Sequence, residues 1–182
     1  MKKIFAFFID SIQTITVSLS VFAMVYLFLA APREVQGASM EPNLHTGERL
    51  IIEKVSVRLD KLERGQIVVL HSPLQDADYV KRVIGLPRET VVIDNCQITI
   101  KNSQNPQGFV LMEEYLPPGV CTKGGNVVLE DQGYIIPKDY YLVLGDNRER
   151  SFDGRFFGAI PKEEIEGRAI LRFWPTQNIQ IF

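Results

Sequence analysis

From Ser11 to Pro32 the chain carries no charged side chain, and its densest part is the apolar run Val21-Phe-Ala-Met-Val-Tyr-Leu-Phe-Leu-Ala-Ala31. No other feature restricts the fold as strongly. A helix over these 22 residues rises about 33 Å, enough for a hydrocarbon core of about 30 Å. A buried helix of a soluble fold would need a second apolar helix to cover it, and the sequence offers none. A cleaved secretory signal has a shorter apolar region, about 7–15 residues, and Ala30-Ala31 matches its cleavage site only weakly. The stretch therefore reads as a retained anchor. Lys2 and Lys3 precede it, while Arg33 and Glu34 follow it and cancel. The positive-inside rule then puts residues 1–10 in the cytoplasm, 11–32 across the cell membrane in a single pass, and 33–182 on the far side.

After residue 33 the apolar period shortens from helical to strand-like. Leu50–Lys54, Gln66–Leu70, Tyr79–Ile84, Thr90–Ile93, Gln97–Ile100, Gly133–Ile136, Tyr140–Leu144 and Ala169–Phe173 are short β-branched runs between Gly, Pro, Asn and Asp clusters. Only Lys162–Glu166, after Pro161, suggests a helical turn. The fold class expected is mainly β: an N-terminal transmembrane helix followed by an antiparallel β-sheet domain. A loop-rich insertion is expected at about 94–133, with Pro106, Pro117, Pro118 and Gly124-Gly125 at its turns.

Charge and soft-ligand counts exclude several function classes. Twenty Lys and Arg balance 22 Asp and Glu, so no basic stripe points to nucleic acid. There is no P-loop and no G-x-G-x-x-G. Two Cys and two His show no metal-ligand spacing, and neither a metal nor a cofactor is expected. Cys96 and Cys121 enclose 24 residues of the insertion. On an oxidising side of the membrane they can pair, which would stabilise by about 3 kcal/mol in the chain-entropy model; two separate buried thiols are the alternative.

Three stretches carry candidate chemistry. His45 and His71 have no G-x-S-x-G elbow to serve, so a Ser-His-Asp reading finds no support. A serine can use a lysine base instead. Gly37-Ala-Ser-Met-Glu-Pro-Asn-Leu44 places Ser39 just beyond the apolar segment. Alone, a serine in a loop is solvated polar surface far more often than a nucleophile. In Tyr79-Val-Lys-Arg-Val-Ile-Gly-Leu-Pro87, strand alternation sends Lys81 and Arg82 to opposite faces. A free lysine titrates near ~10.4, so a base at neutral pH needs its pKa lowered by about three units, which burial without a carboxylate partner achieves. A snorkelling edge lysine is the competing reading. Gly145–Gly158 gathers Asp146, Asn147, Arg148, Ser151, Asp153 and Arg155 directly after an apolar strand. So many potential partners suit a loop that braces a site.

Together these stretches resemble the blocks of bacterial type I signal peptidases, membrane-anchored Ser-Lys endopeptidases. The family pattern S-M-x-P-T-L matches Ser39–Leu44, with Asn43 in place of Thr. Y-V-K-R-V-I-G-L-P matches Tyr79–Pro87, after which Arg88-Glu89 replaces Gly-Asp. G-D-N-R-x-x-S-x-D-S-R-x-x-G matches Gly145–Gly158, with Gly154 replacing the second Ser. The resemblance implies a signal-peptidase-like catalytic β domain and roles residue by residue. Ser39 would be the nucleophile, Lys81 the general base, and Ser151 the hydroxyl that orients the Lys81 amine. The Ser39 N–H would supply part of the oxyanion hole. Gly37 stands where much of the family has a Ser hydroxyl, which leaves the second donor to a backbone N–H. Met40, Leu44, Tyr79 and Val80 would line pockets for small side chains at −1 and −3 of the substrate. Asp146, Arg148, Asp153 and Arg155 would be structural. The implied partners are signal-peptide-bearing preproteins and the lipid bilayer, with no obligate protein partner.

Two other classes compete. A self-cleaving Ser-Lys repressor would need an N-terminal helix-turn-helix, where this chain has its apolar span. A non-enzymatic, membrane-tethered β binding module explains the anchor and strands but leaves Ser39, Lys81 and Ser151 without a role.

Overall fold

The computed structural model describes residues 2–182, with side chains from Phe7 onward; Lys2 and Lys3, whose charges carry the expected orientation, have side chains outside the described residues. Helix α1 runs Lys2–Phe28, and its apolar part, Phe7–Phe28, is exposed along its length, meets the β domain only at its last turns and is long enough to cross a membrane. Helix and uncharged stretch do not coincide. Asp10 lies within the helix, and Ala30–Glu34 leaves it as strand β1. Pro32 explains the exit: it has no N–H for a helical bond and biases Ala31 toward extended backbone. The β domain therefore begins at Ala30, and the helical span stops short of residue 32.

The other elements are β2 (Arg49–Glu53), α2 (Val55–Arg58), β3 (Ile67–His71), β4 (Asp78–Gly85), β5 (Thr90–Asp94), β6 (Gln97–Lys101), β7 (Phe109–Val110), β8 (Gly133–Ile135), β9 (Tyr140–Leu144), α3 (Gly154–Phe157), β10 (Ile160–Pro161), β11 (Ile165–Trp174) and β12 (Gln180–Ile181). Lys162–Glu164 makes one 3₁₀ turn. The large sheet has the order β1-β2-β11-β3-β4-β9-β10, with β12 on β11; the small sheet has the order β7-β6-β5-β8. Every named pair is antiparallel.

The expected loop-rich insertion is thus half of a second sheet. β5 and β6 close through a two-residue turn in which Asn95 and Cys96 both have positive φ, the geometry that a tight hairpin requires. Cys96 and Cys121 are joined by a disulfide, which ties the segment after β7 back to that turn.

Three apolar clusters fill the domain. Ile84 of β4 and Leu142 and Leu144 of β9 meet Val91, Ile93, Ile98 and Ile100 of the small sheet, which fuses the two sheets. Val68, Leu70, Val83, Val143 and Ile165 form a second cluster. Met40, Leu44, Val69 and Val80 belong to a third, with Val35, Leu50 and Ile52. β4 is central to all of this. It pairs with β3 through Asp78–Arg82 and with β9 through Arg82–Gly85, and both its faces are covered.

Candidate active site

Ser39 sits in the turn between β1 and β2. Met40 and Leu44, on either side of Pro42, are 1% and 0% exposed and insert into the third cluster. Their burial anchors the turn and leaves Ser39 at the surface of that cluster. A loop and a strand hold the turn from outside. Asn147 donates through its backbone N–H to the Ser39 carbonyl (3.0 Å) and through Nδ2 to the Ala38 carbonyl (3.0 Å). Arg172 of β11 donates to the Asn43 carbonyl and to Glu48 Oε2, each at 2.9 Å. The Ser39 N–H itself donates to no protein group among the described residues, so it is free to meet an oxyanion.

Lys81 of β4 reaches this turn, and its Nζ donates to Ser39 Oγ at 2.8 Å. The residue is 3% exposed. Among the described residues no carboxylate comes within ion-pair distance of its amine. The Tyr79 ring lies 5.2 Å away. Burial pushes the Lys81 pKa down from 10.5 to about 8; Asp153 and Asp146 pull it upward at longer range, and Arg155 opposes them. A serine hydroxyl hydrogen-bonded to an amine that loses its proton near neutrality is an activated nucleophile.

Arg82, next in sequence, faces the other way. It forks onto Asp146 with Nε and Nη2 at 2.8 and 2.6 Å and caps the Gly65 carbonyl at 2.7 Å. Its guanidinium stacks 3.9 Å from the Tyr115 ring. Asp146 also accepts from Asn43 Nδ2 at 2.8 Å. Asn43, the departure from the Thr pattern, therefore ties the Ser39 turn to the loop after β9, and a second bond to the Tyr115 carbonyl (2.8 Å) ties it to the disulfide-linked segment.

The rest of that loop is internally braced. Asp153 accepts from the Gly145 N–H at 3.0 Å and from Arg155 Nε at 2.8 Å. Arg148 donates to the Gly145 carbonyl (3.0 Å), to Glu113 and to Thr122, beside Cys121. Gly145 has no space for a Cβ, which would sit 2.2 Å from Ser151 Oγ and 2.5 Å from the Ser39 carbonyl oxygen. Ser151 is 6% exposed. Its hydroxyl has no hydrogen-bond partner, so the expected bond from Ser151 to the Lys81 amine is not formed in this structure.

The departures from the motif have local causes. Arg88 takes φ +69°, a conformation a glycine would reach without strain. Glu89 is buried and accepts from Arg64, Asn102 and the Leu86 N–H. Burial alone would raise its pKa, but these bonds hold it below the usual range. At Gly154 a Cβ would meet Leu142 Cδ1 at 2.7 Å and the Val143 carbonyl oxygen at 2.8 Å, so β9 packs too closely for the usual serine. Gly37 has φ +82°, and its carbonyl accepts from Thr46 Oγ1 at 3.1 Å.

Val80 lines a cleft of about 380 Å³ with Arg33, Glu34, Gln36, Val69 and Asp78. Tyr79 is half-buried beside it, with its hydroxyl on Gln75. His45 and His71 are exposed; His45 lies beside Glu41, and His71 beside Asp76 and Asp78. Sequence reasoning passed over Arg82, Asn43, Glu113 and Arg172 as site residues. Alternation marked Arg82 as facing away from Lys81, but its carboxylate lies 64 positions later, where no local pattern can signal it.

The family model for signal peptidase, peptidase S26, matches residues 8–174. The signal peptidase I of Leptolyngbya laminosa is 34% identical over 178 residues, 93% of this chain and 81% of that protein. The signal peptidase IB of Staphylococcus aureus (strain COL) is 35% identical over 183 residues, 94% of this chain and 92% of that protein. A solved signal peptidase I from Enterococcus faecalis V583 is 29% identical, with a TM-score of 0.48, and the match covers 59% of this chain and 96% of that one. The chain belongs to the S26 signal peptidase family, and by that membership it is a serine endopeptidase.

Proposed function

We propose that this chain removes N-terminal signal peptides from exported preproteins, with Ser39 as nucleophile and Lys81 as general base. The observation that carries this reading is the buried Lys81 amine, without an ion pair among the described residues and 2.8 Å from Ser39 Oγ. With a pKa of about 8, roughly a tenth of the amine is neutral at pH 7, against about one in 3,000 at the ordinary value.

The neutral amine accepts the Ser39 proton as Oγ bonds to the scissile carbonyl carbon. The Ser39 N–H stabilises the oxyanion. The Lys81 ammonium then returns the proton to the leaving amine as the C–N bond breaks, which frees the mature protein. Water attacks the acyl-enzyme with Lys81 again taking the proton, and the signal peptide leaves with a new carboxylate. Ser151, whose buried hydroxyl lacks a partner, orients the neutral amine; an orphaned hydroxyl of this kind costs about 1–3 kcal/mol and favours such a bond. Met40, Leu44, Tyr79 and Val80 bound the site for small side chains at −1 and −3. Helix α1 anchors the chain in the cell membrane with its N-terminus cytoplasmic and residues 33–182 outside. No cofactor enters this scheme.

The test is cleavage of a preprotein carrying Ala-x-Ala before the mature sequence. The wild type is expected to release the mature chain and Ser39→Ala to release none. Processing by Ser39→Ala at the wild-type rate would overturn the assignment.

A further inference from the structure

Where α1 meets the β domain, a cleft of about 450 Å³ opens between Leu27, α2 and the residues leading into β11. Its charges are unequally partnered. Lys54 bonds Glu166 at 3.2 Å, and Lys162 bonds Asp60. Arg58 instead donates to the carbonyls of Phe28 (2.8 Å) and Leu27 (3.3 Å), the last turn of α1, and its guanidinium lies 5.3 Å from the Phe28 ring. Among the described residues Arg58 has no carboxylate partner, and its five-donor fork keeps N–H groups unspent. Val55 and Leu59, on either side of it, are 38% and 56% exposed. The Lys54 N–H closes on the Leu29 carbonyl at 2.9 Å, so α2 is bonded directly to the helix end.

These features belong together at one height. The end of a helix that crosses a bilayer lies among the lipid headgroups, and α2 is fastened to that end. A cation there complements the helix dipole, and apolar neighbours reach the acyl boundary.

We propose that this cleft is a phospholipid headgroup site, in which the lipid phosphate sits on the Arg58 guanidinium and Val55 and Leu59 enter the acyl boundary. The inference rests on the reading of α1 as a membrane anchor. Guanidinium matches phosphate geometry through paired, charge-assisted hydrogen bonds. The bound lipid would fix the height of the β domain above the bilayer, because the same Arg58 fork holds the end of α1.

The experiment uses the full chain in vesicles, with Trp174→Phe and Leu59→Trp together providing a single tryptophan reporter in α2's C-terminal turn. Insertion is checked first by resistance to alkaline extraction. Quenching by headgroup spin-labelled phosphatidylglycerol is then compared with quenching by the equally labelled phosphatidylcholine. The inserted protein is expected to prefer the anionic lipid about fivefold, the worth of one cation at a charged surface. Arg58→Gln is expected to lose that preference and Arg58→Lys to keep most of it. Arg49→Gln, at the far end of β2, serves as the control for general charge and should keep it in full. Free inorganic phosphate should not compete. An inserted chain whose Arg58→Gln variant keeps the full preference, or whose Leu59→Trp reporter is not quenched, refutes the headgroup site while leaving the anchor intact. A chain that extracts at alkaline pH refutes the anchor and the site together.

Discussion

Lys81 and Arg82 are adjacent cations on the two faces of one buried strand, and their surroundings differ in kind. Arg82 has a carboxylate in bidentate contact, a carbonyl and an aromatic ring, so its charge is fully compensated. Lys81 has a hydroxyl and no ion pair. Burial with a partner keeps a cation charged; burial without one drives it toward neutrality. One face of β4 therefore holds a structural charge and the other the amine proposed as the base. The loop after β9 serves both: Asp146 neutralises Arg82, while Asn147 holds the turn that presents Ser39 to Lys81.

Exchanging chemistry between the faces should break the site most severely. Lys81→Arg is expected to lower kcat/KM by about 10³-fold or more, because a guanidinium stays charged and cannot accept the Ser39 proton. Substantial turnover by this variant in a preprotein cleavage assay would show that Lys81 is not the base.

The structural face gives a stability effect instead. Asp146→Ala leaves Arg82 buried and uncompensated, and should cost about 3–5 kcal/mol, read as a lower urea midpoint. Replacing both partners by apolar residues, Arg82→Met with Asp146→Leu, should recover much of that loss. If the single and double variants unfold together, the pair is not what holds this face.

The catalytic face should show the opposite sign. Lys81→Met is expected to abolish cleavage and to raise stability at pH 7 by about 1–3 kcal/mol, because it removes an amine that the fold strips of water. The sign follows from a folded pKa of about 8 below the ordinary 10.5. The wild type bears the full cost below pH 8 and none above 10.5, so the gain should fade across that interval. Thermal melts of both proteins at the two ends of that interval read it directly.

The three blocks around Ser39, Lys81 and Ser151 were legible because each is contiguous in sequence. So were the strands of the large sheet, whose β-branched runs are bounded by Gly, Pro and Asn. What joins the blocks was not legible. Arg82 to Asp146, Asn43 to Tyr115 and Arg148 to Glu113 are pairings across tens of residues, which local periodicity does not encode. In the small sheet β5, β6 and β8 were legible as short β-branched runs, but β7 was not, because the segment after β6 is rich in Asn, Pro and Gly, and a disulfide ties the chain beyond it back to the β5–β6 turn.

The central claim is that Lys81 acts as a base because it is buried without an ion pair. The pH dependence of kcat/KM on a peptide with no titrating group in the range tests it most directly. The claim predicts a single rise with pH, tenfold per unit on the acidic side, levelling near pH 8, where the Lys81 amine loses its proton. A profile that levels near ~6.5 would point to a histidine base, and one still rising toward ~10.4 would mean an unperturbed lysine; either contradicts the claim.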